Sequence, residues 1–445
     1  MFTSTIYQSR RNILSSKIKN GIVLLIGNTN SPLDYKANSY PFHQDDTFRY
    51  YFGINKADYA GVIDLDSGEE ILFGNKYTIE DKIWSSNLPD LNELAFSAGI
   101  EKSKNIRELQ IYISSQIEKK RLIHHIPYAR AENINLITGL LGYYNPSSVL
   151  VDSIIEQRIV KSEEEVNEIE DAITVSGKIY DVARKLSIPG KKESEILSAM
   201  LYKTALSETT TSFAPIVTVR GETLHNESRE NILKENDLLL IDFGIFSKEG
   251  YASDNTRTFP VGGEFTSLQK DIYSIVLNAQ LKAIDTVKPG LNNLEVHKTA
   301  CLTIADGLKS LGLMNGNVQD AVESGAHALF FPHGIGHLLG LTTHDMEVFG
   351  EDLVGYGKGL KRSSQFGLRS LRLARELREG FVLTIEPGIY FIPQLIDIWQ
   401  SENKCKDFIN YDKLQTFRQF GGIRIEDDVI VTKTSSRVLG KPIPK

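Results

Sequence analysis

Three apolar, strand-like runs in the second half of this chain each carry an acid at a position suited to a buried side chain. They are Asp237-Leu-Leu-Leu-Ile-Asp242-Phe-Gly244, Phe381-Val-Leu-Thr-Ile-Glu386-Pro-Gly-Ile-Tyr390 and Gly421-Gly-Ile-Arg424-Ile-Glu426-Asp427-Asp428-Val-Ile-Val431. A fourth acid, Asp254, follows Asp242 by twelve residues in Tyr251-Ala-Ser-Asp254-Asn-Thr-Arg-Thr-Phe-Pro260. An ionised carboxylate is costly to bury alone. Several held close together raise one another's pKa unless a cation neutralises them. With His337, the four acids make a hard, oxygen-rich ligand set. Such a set suits Mn²⁺-like ions in pairs, not thiolate-bound structural zinc. A pair of such ions points to metal-assisted hydrolysis.

Local patterning brings these groups together. Strands on either side of Ser247-Lys-Glu-Gly250 form a hairpin that places Asp242 near Asp254. With period two, Asp254 and Thr256 share one face. Arg424 and Glu426 share another, opposite Ile423 and Ile425. Taken singly, each acid has a plainer reading: Asp242 caps a turn at a strand end, and Arg424 with Glu426 forms a surface salt bridge on a half-exposed strand.

Phe331-Pro-His333-Gly-Ile-Gly-His337-Leu-Leu-Gly-Leu-Thr-Thr-His344-Asp345 holds three of the nine histidines within twelve residues. Gly334 and Gly336 argue against a zinc-binding helix and for close backbone approach to a ligand. The alternative is a group of satisfied core histidines. His225, in Gly221-Glu-Thr-Leu-His225-Asn226, says little alone. Arg369, Arg372, Arg375 and Arg378 recur every three residues. They read as a solvated basic helix, although any one of them could bind a carboxylate bidentately.

A chain of 445 residues has room for two or three domains. Residues 1–157 alternate strands and helices and read as a smaller α/β domain. Its expected elements include a helix at 6–19, a buried strand at 21–27 and a hairpin around Asp66-Ser-Gly68. Residues 158–445 mix helices and strands without regular βαβ alternation and read as α+β. Their first helix, from Glu163, is announced by a Ser162/Glu165 capping box. Net charge is −7, from 50 basic and 57 acidic residues, which argues against nucleic acid as a partner. No apolar run approaches the roughly 20 residues needed to span a bilayer. Two cysteines, Cys301 and Cys405, fit a reducing compartment, and a cytoplasmic location is expected.

Together the segments resemble the pita-bread metallopeptidases, specifically aminopeptidase P and prolidase. The steps His333–His337–His344 and His225–Asp242 match, as does the Arg-x-Glu ending at Arg424 and Glu426. The resemblance implies a pita-bread (creatinase/aminopeptidase-like) catalytic domain behind a smaller α/β domain. It implies Asp242, Asp254, His337, Glu386 and Glu426 as ligands of two divalent ions, Mn²⁺ first and Co²⁺ or Zn²⁺ next, with Asp254 and Glu426 bridging. Water would be the nucleophile and Glu386 would handle its proton. His225, His333 and His344 would contact substrate, and Arg424 would orient the carboxylates. The implied substrate is a small peptide with proline second, cut at the imide bond, and the implied assembly is a homodimer or homotetramer. Thr256-Arg-Thr-Phe-Pro260 looks like aminopeptidase P. The 40-residue step from Glu386 to Glu426 looks like eukaryotic prolidase, in which case Arg369 would anchor the proline carboxylate. A non-catalytic peptide-binding relative is disfavoured because all five ligands are kept. Tyr40-Pro-Phe-His-Gln-Asp-Asp-Thr-Phe48 is either a contact with a neighbouring subunit or a structural loop.

Overall fold

The computed structural model describes residues 1–35, 37–85 and 88–445. The chain divides into two compact units, Met1–Arg158 and Ile159–Lys445. The first is built on a five-stranded sheet in the order β4-β3-β2-β1-β5. The strands are β1 (Ile22–Ile26), β2 (Ala60–Asp64), β3 (Glu70–Gly74), β4 (Lys102–Asn105) and β5 (Ile123–His124). All five residues of β1 are buried, as its unbroken apolar run requires. β2 and β3 form the expected hairpin, with Gly68 in the left-handed region at φ +77°. The first helix spans Ser4–Lys17, two residues ahead of its expected bounds, because Ile18 is already extended.

The Tyr40–Phe48 stretch is tied within its own unit. The buried Gln44 amide accepts from the Asn28 and Asp45 N–H groups and donates to the carbonyls of Ile54 and Lys56. Asp45 caps the helix Asp46–Phe52 by accepting from the Phe48 N–H at 2.8 Å. These bonds account for the central polar residues of the motif as loop structure.

The second unit packs helices Glu163–Leu186, Glu193–Leu206, Ser267–Thr286 and Asn293–Ser310 against three small sheets. The sheets are β6-β7-β8, β10-β11 and β13-β12-β9. Their strands are β6 (Ile216–Thr218), β7 (Leu238–Phe243), β8 (Asn255–Pro260), β9 (Val382–Ile385), β10 (Gly388–Tyr390), β11 (Gly422–Arg424), β12 (Asp427–Val431) and β13 (Ser436–Val438). The helix from Glu163 starts at the expected box, where the Ser162 N–H donates to Glu165 at 3.0 Å. Alternation along β7 sets the layers. Leu239, Ile241 and Phe243 pack with Ile179, Tyr180, Ile196 and Met200 of the helices. Leu240 packs on the other face with Ile216 and Tyr390. Asp242 shares that second face.

Two expected long strands are interrupted. The run from Phe381 breaks at Glu386-Pro387 into β9 and β10, and the run from Gly422 breaks at Ile425-Glu426 into β11 and β12. Pairing of Ile385 with Asp427, and of Gly388 with Arg424, puts the two breaks opposite each other. Proline cannot donate to a ladder, which explains why the first break falls at Pro387.

The basic helix expected from Arg369 to Arg378 is absent. A short 3-10 turn, Leu368–Ser370, leads into extended chain. Leu371 and Leu373 are both buried, so a two-residue period wins over the three-residue recurrence of arginines. Among the described residues, no helix is long and apolar enough to cross a membrane.

Arg257 fastens β8 to β12 and to the chain end. Only 1% exposed, it donates to the carbonyls of Thr256 (2.8 Å), Glu426 (2.7 Å) and Ile443 (2.8 Å) and pairs with Asp427 at 2.6 Å. Breaking a buried pair by removing one partner strands the other charge. Arg257→Met is expected to cost about 3 kcal/mol, read as a lower midpoint in urea unfolding. An unchanged midpoint would exclude this anchoring role.

Candidate metal centre

β7 and β8 pair antiparallel with Asp242 opposite Thr256, so Asp254 sits one residue beyond the ladder, beside Asp242. An isolated bridge between Thr256 and Glu426 then joins β8 to the break between β11 and β12. Thr256 Oγ1 donates to Glu426 Oε2 at 2.7 Å. The Glu386 N–H donates to the Ile335 carbonyl, which ties the other break to the glycine-rich histidine segment.

That segment is not helical, in keeping with its glycines. Gly336 shows why a glycine is required: a Cβ there would lie 1.9 Å from the Thr384 carbonyl oxygen on β9. Close approach lets the His337 N–H donate to Thr384 Oγ1 at 3.1 Å. His337 Nδ1 bonds the Leu338 carbonyl at 3.1 Å, which fixes the proton on Nδ1. Nε2 is then free to face the acids, 3.4 Å from Asp254 Oδ2 and 3.9 Å from Glu386 Oε1.

Asp242, Asp254, His337, Glu386 and Glu426 all line one cavity of about 650 Å³. His225, His333, His344, Arg372 and Arg424 line it as well. The surface salt bridge considered for Arg424 and Glu426 is thereby overturned, since both are buried. Arg424 donates to Asp242 Oδ2 (2.8 Å), Thr256 Oγ1 (3.1 Å) and the Tyr390 hydroxyl (3.0 Å). Tyr390 passes the chain on: its hydroxyl lies 2.7 Å from His333 Nε2, while His333 Nδ1 bonds the Gly334 carbonyl at 2.8 Å. His344 Nδ1 meets Glu347 at 3.2 Å, and Arg372 holds the same Glu347 at 2.7 Å. Arg369 lies elsewhere. Its guanidinium stacks over Phe366 at 5.1 Å and lines an adjoining depression that shares Ser370 and Arg372 with the cavity.

Burial and mutual repulsion govern the electrostatics of the acids. Burial pushes the Asp254 carboxyl well above the usual range, and Asp242, Asp428 and Glu386 add to the shift. Glu426 is raised by burial and then by Asp254, Glu386 and Asp242. Glu386 is raised by burial, with His337 and Arg424 opposing. Burial and Arg424 hold His333 down to about 3, so the 3.7 Å approach of its Nδ1 to Glu386 is a contact of a neutral ring and not an ion pair. Burial also lowers His344, against the pull of Glu347.

Asp242 Oδ1 and Asp254 Oδ1 are buried with no hydrogen-bond partner. Ligand atoms of Asp254, His337 and Glu426 lie within 4.8 Å of one another. Orphaned acid oxygens, an imidazole nitrogen aimed at them and an oxygen-rich set all fit divalent cations. Sequence patterning missed Tyr390 as the link between Arg424 and His333. It also missed Glu347 under His344, and Asp428, which accepts from the Asp254 N–H at 3.1 Å. Asp428 was visible in the run Glu426-Asp427-Asp428, but nothing in its spacing set it apart.

Fold and centre define a class, the metal-dependent hydrolases with a carboxylate-rich site. Metallopeptidase family M24 matches residues 167–433, and the aminopeptidase P N-terminal domain matches residues 7–124. The chain belongs to metallopeptidase family M24. It is 30% identical to an Xaa-Pro dipeptidase of Rattus norvegicus, over 89% of this chain and 82% of the relative. It is 31% identical to a probable Xaa-Pro aminopeptidase of Fusarium vanettenii, over 95% and 89%. Among solved structures, aminopeptidase P from E. coli with the inhibitor Pro-Leu superposes with a TM-score of 0.81 at 25% identity, over 100% of this chain and 96% of that one. Proline aminopeptidase P II from Yersinia pestis does so with a TM-score of 0.81 at 26% identity, over 100% and 97%. The second unit thus has the pita-bread architecture of these enzymes.

Raised carboxyl pKa values give the metal-free protein a pH signature. A carboxyl that titrates higher in the folded than in the unfolded chain binds more protons when folded, so stability falls as pH rises from the ordinary carboxylate range toward the folded value. The lowered histidines act below about pH 6.5, where the unfolded chain takes up protons that the folded chain refuses. Above about pH 7 the histidines are neutral in both states and the acids dominate. The carboxyls therefore work against the stability of the chelated protein as pH rises above the ordinary carboxylate range, and the gain in melting temperature on adding Mn²⁺ should grow with pH. A gain that shrinks with pH would remove the carboxylates as the ligands.

Proposed function

We propose that this chain is a dinuclear metal-dependent exopeptidase that removes the residue ahead of proline from peptide N-termini, an Xaa-Pro aminopeptidase. One observation carries the reading: five hard ligands converge with three histidines on one cavity. The Xaa-Pro enzymes among the relatives supply the substrate class. Asp242, Asp254, His337, Glu386 and Glu426 would hold the two ions. Mn²⁺ is the ion that so oxygen-rich a set favours. When bound, the ions supply the positive charge that acidifies water and polarises the scissile carbonyl.

The chain's own residues do the rest. Glu386, its pKa raised by burial, takes the proton of the attacking water at a carboxylate oxygen and delivers it to the departing prolyl nitrogen. Arg424 holds Asp242 through one N–H and Thr256 through another, so the ligand face does not relax when charge moves. His344 stands on ionised Glu347, which keeps its proton on Nδ1 and turns Nε2 toward the cavity. His333 is neutral and is braced by Tyr390, and with His225 it contacts the peptide around the scissile bond. Hydrolysis of an imide suits a site that grips substrate without using the absent N–H.

Arg369 was the carboxylate anchor expected of a dipeptidase. Its place outside the cavity lining supports the aminopeptidase reading. The dipeptidase reading keeps its own support in the rat relative, and Arg372 is the cavity residue that would serve it. Both cysteines are free, which supports a reducing, cytoplasmic setting. A homodimer or homotetramer is the assembly that goes with this reading.

Exhaustive chelation should abolish turnover of Xaa-Pro peptides, and Mn²⁺ should restore it; full activity without metal would sink the dinuclear assignment. Glu386→Ala should lower kcat by about 10³-fold with the fold intact by circular dichroism. With Mn²⁺, Xaa-Pro-Yaa tripeptides should be cut faster than Xaa-Pro dipeptides. The reverse preference would make the enzyme a dipeptidase.

A further inference from the structure

A second cluster of metal-competent side chains lies one aromatic ring away from His333. His297 and Cys301 stand one turn apart on the helix Asn293–Ser310, and His327 sits on the 3-10 turn Ala326–Leu329. One ligand atom from each lies within 4.8 Å of the other two. All three residues are at most 1% exposed. Phe331 separates them from the first centre, its ring centroid 5.3 Å from His297 and 4.8 Å from His333.

Plain core packing accounts for one contact here. Cys301 Sγ lies 3.4 Å from His297 Nε2, within reach of a weak S–H···N bond. It leaves too much unexplained. His297 Nδ1 and one ring nitrogen of His327 are buried without a hydrogen-bond partner, the other His327 nitrogen being engaged by the Val322 backbone. Buried polar nitrogens in folded proteins are nearly always satisfied, and two orphans beside a buried thiol call for a ligand.

We propose that His297, Cys301 and His327 form a separate site for one thiophilic cation of the Zn²⁺ class. Two imidazoles and a thiol are a soft set, the opposite of the carboxylate-rich centre beyond Phe331. The spacing suits it: bonds of about 2.3 Å to sulfur and about 2.0 Å to nitrogen, at tetrahedral angles, put those atoms roughly 3.5 Å apart. On binding, Cys301 releases its S–H proton to solvent and the sulfur donates a lone pair to the ion, while each histidine donates from an unprotonated nitrogen. Burial holds His297 at about 3 and His327 at about 4, the latter opposed by the Val322 backbone, so both rings are in the neutral form that ligation needs. Burial pushes the Cys301 thiol up, so occupancy should increase with pH. Hard Mn²⁺ and soft Zn²⁺ would then partition between the two sites in one molecule.

Co²⁺ reports the site directly, because only a thiolate ligand gives an intense near-ultraviolet charge-transfer band. The full-length Mn²⁺-loaded protein carrying Cys405→Ser, which leaves Cys301 as its single cysteine, would be titrated with Co²⁺. A thiolate band saturating at about one equivalent per chain, and erased by Zn²⁺, is the expected result. Cys301→Ala should abolish the band and His327→Gln should weaken it at least tenfold in apparent affinity, with Mn²⁺-dependent peptide hydrolysis retained in Cys301→Ala. Absence of the band in the Cys405→Ser protein, which needs no change at the site itself, overturns the proposal. So does a band that persists in Cys301→Ala.

Discussion

The buried guanidinium of Arg424 is the interaction on which the centre depends. It reaches Asp242 on β7, Thr256 on β8 and Tyr390 on β10 from its own place on β11. One planar cation thus ties together four strands and offsets part of the repulsion among four acids. Its positive charge is also one reason that neighbouring His333 stays neutral. A lysine could offer the charge but not the fixed fork of donors.

Around this hub, the acids divide the work between backbone and side chain. Asp242 and Asp254 are placed by hairpin register, so their separation is set by main-chain hydrogen bonds. Glu386 and Glu426 are placed by breaks in strands, where the chain is least constrained by ladders. His337 is placed by contact: the missing Cβ of Gly336 lets one loop lie against β9. Three different devices converge on one point, which explains why the candidate ligands are scattered along the sequence.

The parts legible in the sequence were those written in short-range pattern. Alternation along Asp237–Phe243, the capping box at Ser162 and the glycines between His333 and His337 each predict their local structure from neighbours alone. The arginine recurrence misled because Leu371 and Leu373 obey a competing period that only tertiary burial enforces. The interruptions at Pro387 and Ile425 fall inside runs with strand-forming residues on both sides, so local pattern joins each run into one strand. Tyr390 escaped notice because its partners His333 and Arg424 are distant in sequence and no spacing rule announces them; Glu347 stands three residues from His344, but only the fold adds Arg372 beneath it. His297 and Cys301 share the four-residue step of a helix face, but His327 joins them only through the fold.

The coincidence of the two strand breaks has a mechanical consequence. Continuous sheet would have run through this point, and instead the ladder is cut across both strands at Glu386 and Glu426. Cations seated there would act as rivets across a seam, substituting ionic bonds for the missing backbone ones. The acids on either side of the seam move with their own sheets, so whatever opens the seam also pulls Glu386 and Glu426 apart.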